Sequence, residues 1–491
     1  MKLWLERLLG SDQVARVLEF LHALATELVR CIAPGWLSGS RETHGGSRWA
    51  RPVEATALGR ISRAGQSHGD GIVLGWFCDR LLQTPREDNL LLLGVQRSGK
   101  TSAVVLPTLL TWEGAVVATS TKEELVCMTS AARARRGPVW VLAPLDRDLG
   151  WISDLGLVPA TWNPVDDATD SSAAVEIADQ LTADGRRGVA THWYLSASSL
   201  IAGLIVLMHE RGGDMRSVLT KLNLTRPAEY VEAAGEVQDR TAAELLYAFA
   251  HTPEKEAGSV ASTARSCLSV WMDERVAAAT RSGPNELDLD RLLSEGGSLY
   301  LVAPAEEAER CRPLFSALLQ SLLRKATARA RSQGGVLSPR LLLALDEVAN
   351  FVRIPRLAGY ASTGPGQGIQ LLLAFHDLAQ IEAGYGAQEA RTIWNNCRAR
   401  LLLPGQGDIQ TLERFSRAIG DETRNYLGRQ FDSQRTSHSE QRTGRALTSV
   451  DELRRMKRAV LLYANAPPAQ VDLRRWDEVP HWRSQIPPQT S

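Results

Sequence analysis

The chain is poor in several features that would assign a protein class from composition alone. It has six cysteines in 491 residues, with no CxxC pair and no close histidine spacing. This pattern indicates neither a zinc site nor a disulfide framework, and it fits the reducing cytoplasm. The six cysteines are Cys31, Cys78, Cys127, Cys267, Cys311 and Cys397.

Long hydrophobic runs are also missing. The apolar, uncharged run from Trp193 to Met208 falls short of the roughly 18 apolar residues of a spanning helix and is predicted to be a buried helix. Residues 1–31 have apolar positions at helical spacing but carry eight charged side chains. We therefore expect a helical segment over residues 1–47 that is neither a signal peptide nor a membrane span, and no transmembrane span in the chain.

Charge of one sign is not in excess. Lysine plus arginine number 56, and so do aspartate plus glutamate. No whole-chain field attracts a polyanion, so any nucleic-acid surface must be local. Two places to look are the Arg186-Arg187 pair and the polar, basic stretch Arg424–Arg445, which we expect to be a solvated loop.

The pattern that is present is α/β. Continuous apolar runs, each followed by a helical pattern, predict a mostly parallel sheet flanked by helices on both faces. The runs are Leu90–Leu93, Ala115–Ala118, Val139–Leu142, Leu299–Ala303, Leu341–Leu345, Ile369–Ala374 and Arg400–Leu403.

The runs stop near Pro164 and resume near Leu299, and the stretch between them is almost entirely helical in pattern. We predict an all-helical domain at residues 166–290, inserted between two parts of one α/β domain at 48–165 and 291–478. Residues 479–491 are predicted to be a flexible tail.

The strongest motif is GVQRSGKT, which fits GxxxxGK[ST] directly after the Leu90–Leu93 run and before a helical pattern. Such a loop turns its backbone N–H groups toward the phosphates of ATP, and the following helix presents its positive end to them. Lys100 is predicted to bridge the β- and γ-phosphates, and Thr101 to bind Mg²⁺. The predicted nucleotide-binding residues are Gly94, Val95, Gln96, Arg97, Ser98, Gly99, Lys100, Thr101 and Ser102.

A second motif supplies acids at the end of another strand. The run Leu341–Leu345 ends in Asp346-Glu347, and the carboxyl ends of parallel strands border the ligand crevice. Asp346 is predicted to hold Mg²⁺ and Glu347 to polarise the attacking water. Taken alone, such a pair is also typical of a helix N-terminal cap.

With these motifs in place, the chain resembles the type IV coupling proteins of bacterial conjugation, the TraG/TraD-like family related to FtsK/HerA DNA-pumping ATPases, and in particular actinobacterial forms. The resemblance begins at SRWARPVEATAL and includes VVATSTKEEL and TPEKEAGSVASTARSCLSVW. Its most specific part follows the acidic pair: Asp-Glu-x-x-Asn, then Ile354–Leu357, Gly368-Ile369, Ala379-Gln380 and Asn396-Cys397.

The resemblance implies a RecA-like P-loop ATPase that assembles as a homo-hexamer and moves DNA into a type IV secretion channel. It implies that the helical insert meets accessory and relaxosome proteins. Many relatives have amino-terminal membrane spans, which we do not expect in this chain, so it would be cytoplasmic and held at the inner face of the cell membrane through partners or through its amphipathic first helix.

Two positions depart from the family pattern. Pro365 stands where many relatives have an arginine that reaches a neighbouring subunit's phosphates, and Arg356, Arg398 and Arg400 are candidates to replace it. His376 stands where relatives have a glutamine that senses the γ-phosphate. His376 is a candidate catalytic residue beside Lys100 and Glu347, and a histidine bonded by Asp377 or by backbone is the alternative.

The leading hypothesis is an ATP-dependent DNA translocase that couples conjugative DNA and bound protein to a type IV secretion system. One alternative is a nucleotide-binding adaptor that recruits cargo with little or no hydrolysis, which Pro365 and His376 would suit. Another is an FtsK/HerA-like DNA motor outside conjugation.

Overall fold

The computed structural model describes residues 45–62, 67–186, 191–224, 226, 229–354, 356–432 and 435–487. The predicted amino-terminal helix lies outside these residues. The described chain divides into a small unit, residues 45–47 and 420–446, and a large unit formed by the remainder.

The large unit is built on a nine-stranded sheet with the order β14-β13-β10-β4-β9-β8-β5-β7-β6. Its strands are β4 (Leu90–Leu93), β5 (Ala115–Ser120), β6 (Val139–Leu142), β7 (Ser298–Val302), β8 (Leu341–Leu345), β9 (Ile369–Phe375), β10 (Ala399–Leu402), β13 (Ala459–Tyr463) and β14 (Ala469–Val471). A second sheet, of order β1-β3-β2, contains β1 (Arg60–Ser62), β2 (Val73–Phe77) and β3 (Arg80–Gln83).

The predicted α/β class is confirmed. The seven apolar runs correspond to the seven strands β4 to β10, which are parallel wherever they pair with each other. The two strands at one edge, β13 and β14, are antiparallel additions that the sequence analysis missed. The three-stranded sheet was also missed, because its strands are short and interrupted by turns.

Helices cover both faces of the sheet. They are α1 (Leu106–Thr111), α2 (Glu124–Ala134), α3 (Gly150–Asp154), α4 (Ser171–Thr182), α5 (Thr191–Glu210), α6 (Met215–Leu224), α7 (Tyr230–Glu236), α8 (Arg240–Ala250), α9 (Glu254–Cys267), α10 (Glu274–Ala279), α11 (Leu289–Ser294), α12 (Ala308–Ser332), α13 (Val348–Phe351), α14 (Leu357–Thr363), α15 (Leu378–Tyr385), α16 (Ala387–Asn396), α17 (Ile409–Ile419), α18 (Val450–Arg455) and α19 (Pro480–Arg483). Short 3₁₀ helices cover Pro52–Leu58, Ala183–Arg186, Ser269–Met272, Pro365–Gln367 and Trp476–Glu478.

Between β6 and β7 the regular secondary structure of the described residues is helical, apart from isolated β-bridges at Pro159, Thr161 and Glu286. Helix α5 is the one helix in the described chain that is long and apolar enough to cross a membrane, and 61% of its most apolar window is buried. It packs against α4, α8 and α9. The run Trp193–Met208 therefore lies in a helix that is largely covered by its neighbours.

Alternation along β4 sends neighbouring leucines into two different cores. Leu91 and Leu93 pack with the helical stretch and with α12 to α17, whereas Leu90 and Leu92 pack with α1 and the three-stranded sheet. The backbone N–H of Val73 in β2 donates to Thr108 Oγ1 in α1 at 3.0 Å. The three-stranded sheet thus supports the helix that follows the Gly94–Thr101 loop.

Two expectations were wrong. Residues 424–445 are not a loop, because their backbones pair: β11 (Asp421–Asp432) and β12 (Arg435–Ala446) form a two-stranded antiparallel ribbon in the small unit. Residues 480–487 are not a free tail. Trp482 in α19 is 1% exposed and meets Trp76 edge to face, with ring centroids 6.0 Å apart.

A buried arginine fastens α2 to the edge of the sheet. Arg133 is fully buried and donates to the carbonyl groups of Trp112, Gly114 and Gly296, and to Ser298 Oγ. Burial lowers its pKa to about 10, so it remains charged at neutral pH. Its donors satisfy carbonyl groups that have little access to water.

We predict that Arg133→Met lowers the free energy of unfolding by about 3 kcal/mol or more, because each buried carbonyl left without a donor costs about 1–3 kcal/mol. Arg135→Ala is the control, because Arg135 is exposed directly after the end of α2 and should change stability by less than about 0.5 kcal/mol. Urea unfolding of the two variants checks this. Equal midpoints would contradict the role of Arg133.

Candidate nucleotide-binding site

The loop from Gly94 to Thr101 is held open by its backbone conformation. Gly99 and Arg97 both lie in the left-handed region, with φ of 92° and 61°. The N–H of Gly94 donates to the Phe375 carbonyl at 3.1 Å, and Ser98 Oγ donates to the Val95 carbonyl at 2.7 Å. The loop therefore rises from β4, is tied to β9, and feeds into a helix.

That helix begins with a π-helical turn, Lys100–Val105, and continues as α1. Single π turns inside helices are frequent at functional sites. The turn places the free N–H groups of the first residues, and the positive end of the helix, at the carboxyl edge of the sheet.

Lys100 is buried at 7% exposure, and its ammonium group faces the loop. Its Nζ donates to the carbonyl oxygens of Gly94 at 2.5 Å and Val95 at 3.1 Å. Burial lowers the Lys100 pKa, and the negative charges of Asp346 and Glu347 oppose this shift. A cation whose hydrogen-bond partners within the described part of the chain are carbonyl groups is well suited to bind an incoming anion.

Asp346 meets the loop directly. Thr101 Oγ1 donates a hydrogen bond to Asp346 Oδ2, and Thr119 Oγ1 at the end of β5 donates to the Asp346 carbonyl at 2.7 Å. Burial raises the Asp346 pKa, while the Thr101 hydrogen bond and the Lys100 charge lower it. A hydroxyl beside a carboxylate is the oxygen donor set that Mg²⁺ prefers.

Glu347 has the strained backbone that often marks a functional residue. Its φ is 53°, which is uncommon for a residue other than glycine. Asn350 Nδ2 donates to Glu347 Oε2 at 3.3 Å, so the carboxylate is held from one side. The Asp-Glu-x-x-Asn motif is therefore a hydrogen-bonded unit in which Asn350 orients Glu347.

These groups border one cleft of about 430 Å³. Every predicted nucleotide-binding residue except Gly94 lines it, together with Asp346 and Glu347. Five further lining residues, which had no role assigned from the sequence, lie at or just after the end of β5: Ser120, Thr121, Lys122, Glu124 and Leu125. The sequence did contain a signal for these residues, because they lie in the VVATSTKEEL segment that carries part of the family resemblance. The strand in that segment, β5, pairs with β8, which carries the acidic pair.

His376 lies at the same edge but is not among the cleft-lining residues. It follows β9, which lies between β4 and β8 in the sheet. Its backbone N–H donates to Gln380 Oε1, and its carbonyl accepts from Gln406 Nε2. Asp377 caps α15 instead of binding the ring, and His376 Nε2 is buried without a hydrogen-bond partner among the described residues.

The arginine candidates lie away from this chain's own loop. Arg398 precedes β10 at the amino edge of the sheet and pairs with Asp88 at 3.3 Å. Pro365 lies at that same edge, before β9, and its carbonyl accepts from Arg340 at 2.8 Å. Arg400 lies over the Trp394 ring, and Arg356 is exposed at the start of α14.

The structure describes only part of the two basic segments that were candidates for a nucleic-acid surface. Arg186 pairs with Asp179, while Arg187 lies outside the described residues. In the Arg424–Arg445 ribbon, side chains 425–442 are also outside the described part.

Gly99→Ala and Gly156→Ala test the loop as a matched pair. Both glycines have positive φ, 92° and 72°, and neither added Cβ meets an atom closer than 4.0 Å. Each substitution should cost stability through backbone strain of about 1–2 kcal/mol. Only Gly99→Ala should weaken MgATP binding, by about tenfold or more. Gly99 lies in the phosphate loop, so relieving the strain there would move the N–H groups that bind the phosphates. Calorimetric titration measures this, and equal affinities in the two variants would contradict it.

Comparison with known proteins gives one family. The model of the family "Type IV secretory system Conjugative DNA transfer" matches residues 75–479. A conjugal transfer protein TraG of Escherichia coli is 24% identical over 463 residues, covering 85% of this chain and 70% of TraG. Protein VirD4 of Rhizobium rhizogenes is 26% identical, covering 82% of this chain and 59% of VirD4.

Solved structures give the same fold. The plasmid coupling protein TrwB, solved with a non-hydrolysable ATP analogue, aligns with a TM-score of 0.64 at 18% identity, covering 90% of this chain and 96% of TrwB. The predicted RecA-like P-loop fold is confirmed by this likeness. The conjugal-transfer relatives also favour the coupling hypothesis over a motor outside conjugation. From the family match over most of its length, this chain belongs to the conjugative DNA-transfer proteins of type IV secretory systems, the coupling proteins.

Proposed function

We propose that this coupling protein is an ATP-hydrolysing motor that moves DNA toward the secretion channel. The observation that carries the proposal is the hydrogen bond from Thr101 to Asp346, which joins the glycine-rich loop to the acidic pair across the sheet. ATPases need these two elements together, because one binds the phosphates and the other holds the metal and orients the water. TrwB, of the same fold, has been solved with ADP and Mg²⁺.

The residues present fit a magnesium nucleotide. Thr101 Oγ1 and Asp346 would hold Mg²⁺, which neutralises charge on the phosphate oxygens when bound. The N–H groups of Val95 to Ser102 would surround the phosphates. Lys100 would exchange its carbonyl partners, Gly94 and Val95, for phosphate oxygens, a stronger charge-assisted contact.

Glu347 is the group that would act on water. Its carboxylate would accept a hydrogen bond from the attacking water and orient it in line with the leaving phosphate. Asn350 supports that orientation through its contact with Glu347 Oε2. Lys100 would stabilise the charge that develops on the transferred phosphoryl group.

We assign the sensing role to His376. Its backbone is bonded both to α15 through Gln380 and to the loop after β10 through Gln406. The strand that carries it is tied to the phosphate loop by the Gly94–Phe375 hydrogen bond. A nucleotide contact by the unbonded Nε2 would therefore be transmitted to helices at the surface.

The assembly that we propose is a homo-hexamer on DNA, with nucleotide at subunit interfaces. A trans-acting arginine would come from the amino edge of a neighbouring subunit's sheet, where Pro365 and Arg398 lie. The protein would act in the cytoplasm at the inner face of the membrane, and the helical stretch between β6 and β7 would contact relaxosome and accessory proteins and channel components.

Lys100→Ala and Glu347→Gln should separate binding from chemistry. Lys100→Ala removes the charge that holds the phosphates, so we expect MgATP binding to weaken at least tenfold. Glu347→Gln keeps the size of the side chain but cannot orient water as an anion, so we expect binding to persist and turnover to fall by about 10²–10⁴-fold. Phosphate release, with and without DNA, and calorimetric binding measure the two effects.

Lys255→Ala is the control, because Lys255 is exposed on α9 and should change neither quantity. Turnover by Glu347→Gln at the rate of the unaltered protein would contradict the assigned role. MgATP binding by the unaltered protein without phosphate release, even with DNA, would identify the nucleotide-binding adaptor instead.

His376→Gln and His376→Ala test the sensing role. Glutamine keeps a hydrogen-bond donor, so we expect DNA-stimulated turnover close to that of the unaltered protein. Alanine removes a hydrogen bond to a charged group, worth about 1.5–3 kcal/mol, and should lower kcat at least tenfold with little change in KM. Equal kcat in both variants would contradict the assignment.

A further inference from the structure

A second cleft, of about 340 Å³, lies between helices α15, α16 and α17. Its walls are helical stripes. On α16 the lining residues follow helical spacing and end at Trp394, and on α17 they do the same and end at Arg417. We name it the arginine cleft, after Arg391, Arg414 and Arg417 in its lining.

Two guanidinium groups share one aromatic ring beside this cleft. Arg400 and Arg414 lie over Trp394, with their central carbons 5.3 Å and 5.2 Å from the ring centroid. Cation–π attraction stabilises each arginine, but the two positive charges repel each other. Burial lowers the pKa of Arg400, and the charge of Arg414 lowers it further.

The positive charge in the cleft is only partly neutralised. Among the described residues, Arg391, Arg400 and Arg414 have no acidic group within ion-pair distance, and Arg400 Nε is buried without a hydrogen-bond partner. Arg417 pairs with Glu413 at 3.1 Å, and the other acid in the lining, Glu382, pairs with none of the arginines. In a chain with equal numbers of acidic and basic residues, such a cluster is a local anion site.

We propose that the arginine cleft binds the phosphate backbone of the DNA substrate, an inference that rests on the proposed motor function. Guanidinium groups match the oxygen pairs of a phosphate. Trp394 is only 4% exposed, so it orients the arginines and is not available to stack on a base. Binding is therefore independent of DNA sequence.

The cleft is also connected to the nucleotide site. The loop that carries His376 leads directly into α15, and the N–H of Leu378 in α15 donates to Thr411 Oγ1 in α17 at 3.0 Å. Two walls of the cleft thus attach to the segment that follows β9. A change at His376 would move the arginines, and with them the DNA.

Arg391→Ala/Arg414→Ala, compared with the unaltered protein, tests the proposal. The probes are a fluorescently labelled oligonucleotide and its duplex, titrated over a range of salt concentrations. Each lost phosphate contact should reduce the slope of log affinity against log salt by about 0.7 for the single strand and about 0.9 for the duplex. Arg391→Lys/Arg414→Lys should restore most of the slope, because the charge returns.

Arg240→Ala is the matched control, because its side chain is 92% exposed on α8 and pairs with Glu244. It should leave the slope unchanged. The thermal unfolding midpoint and MgATP affinity establish that the variants are folded. If the double variant does not fold, Arg391→Ala alone, at an exposed position, should show the loss of one contact.

The outcomes separate the two claims. If the unaltered protein shows no salt-dependent DNA binding, the motor function itself fails. If it binds DNA and Arg391→Ala/Arg414→Ala binds with the same slope, the cleft assignment alone is overturned. Polyglutamate serves as a model of an acidic polypeptide. If Arg391→Ala/Arg414→Ala loses polyglutamate binding while its DNA binding is unchanged, the cleft belongs to an acidic protein partner, and its assignment to DNA is overturned.

Discussion

The site depends on two opposite charges buried together at the carboxyl edge of one sheet. Lys100 and Asp346 are both almost inaccessible to water, and burial disfavours the charged form of each. Their mutual attraction and the Thr101 hydrogen bond oppose that cost. A bound magnesium–triphosphate group would place a cation beside Asp346 and phosphate oxygens beside Lys100, so it would further offset the unfavourable burial of both side chains.

The order of the strands explains how this site communicates with the surface. Strand β9 lies between the strand of the phosphate loop and the strand of the acidic pair. The residue before His376, Phe375, accepts a hydrogen bond from Gly94 in the phosphate loop, so the end of β9 is attached to that loop. From there, hydrogen bonds reach α15 and α17, which form the arginine cleft. One edge of the sheet thus joins the proposed chemistry to the proposed grip on DNA.

Much of this was predictable from sequence. Seven apolar runs gave the seven mutually parallel strands, because buried parallel strands are continuous in apolar residues, and the loop and acidic pair were found because their chemistry requires fixed spacing. The antiparallel edge, β13 and β14, was missed because nothing in a short strand specifies its partner. The arginine cleft was invisible for a similar reason: Arg400 in β10 and Arg414 in α17 come from elements that only the fold brings to Trp394 in α16. The same limit applied to Trp482, whose burial needs Trp76 as a partner.

The central claim is that the loop at residues 94–101 and Asp346 bind one metal–nucleotide complex. Electron paramagnetic resonance of Mn²⁺ substituted for Mg²⁺ tests it most directly. We expect Mn²⁺ binding to depend on ATP, to show coupling to phosphorus nuclei, and to weaken in both Thr101→Ala and Asp346→Asn. An ATP-bound Mn²⁺ signal that is identical in the unaltered protein and in Asp346→Asn would contradict the account.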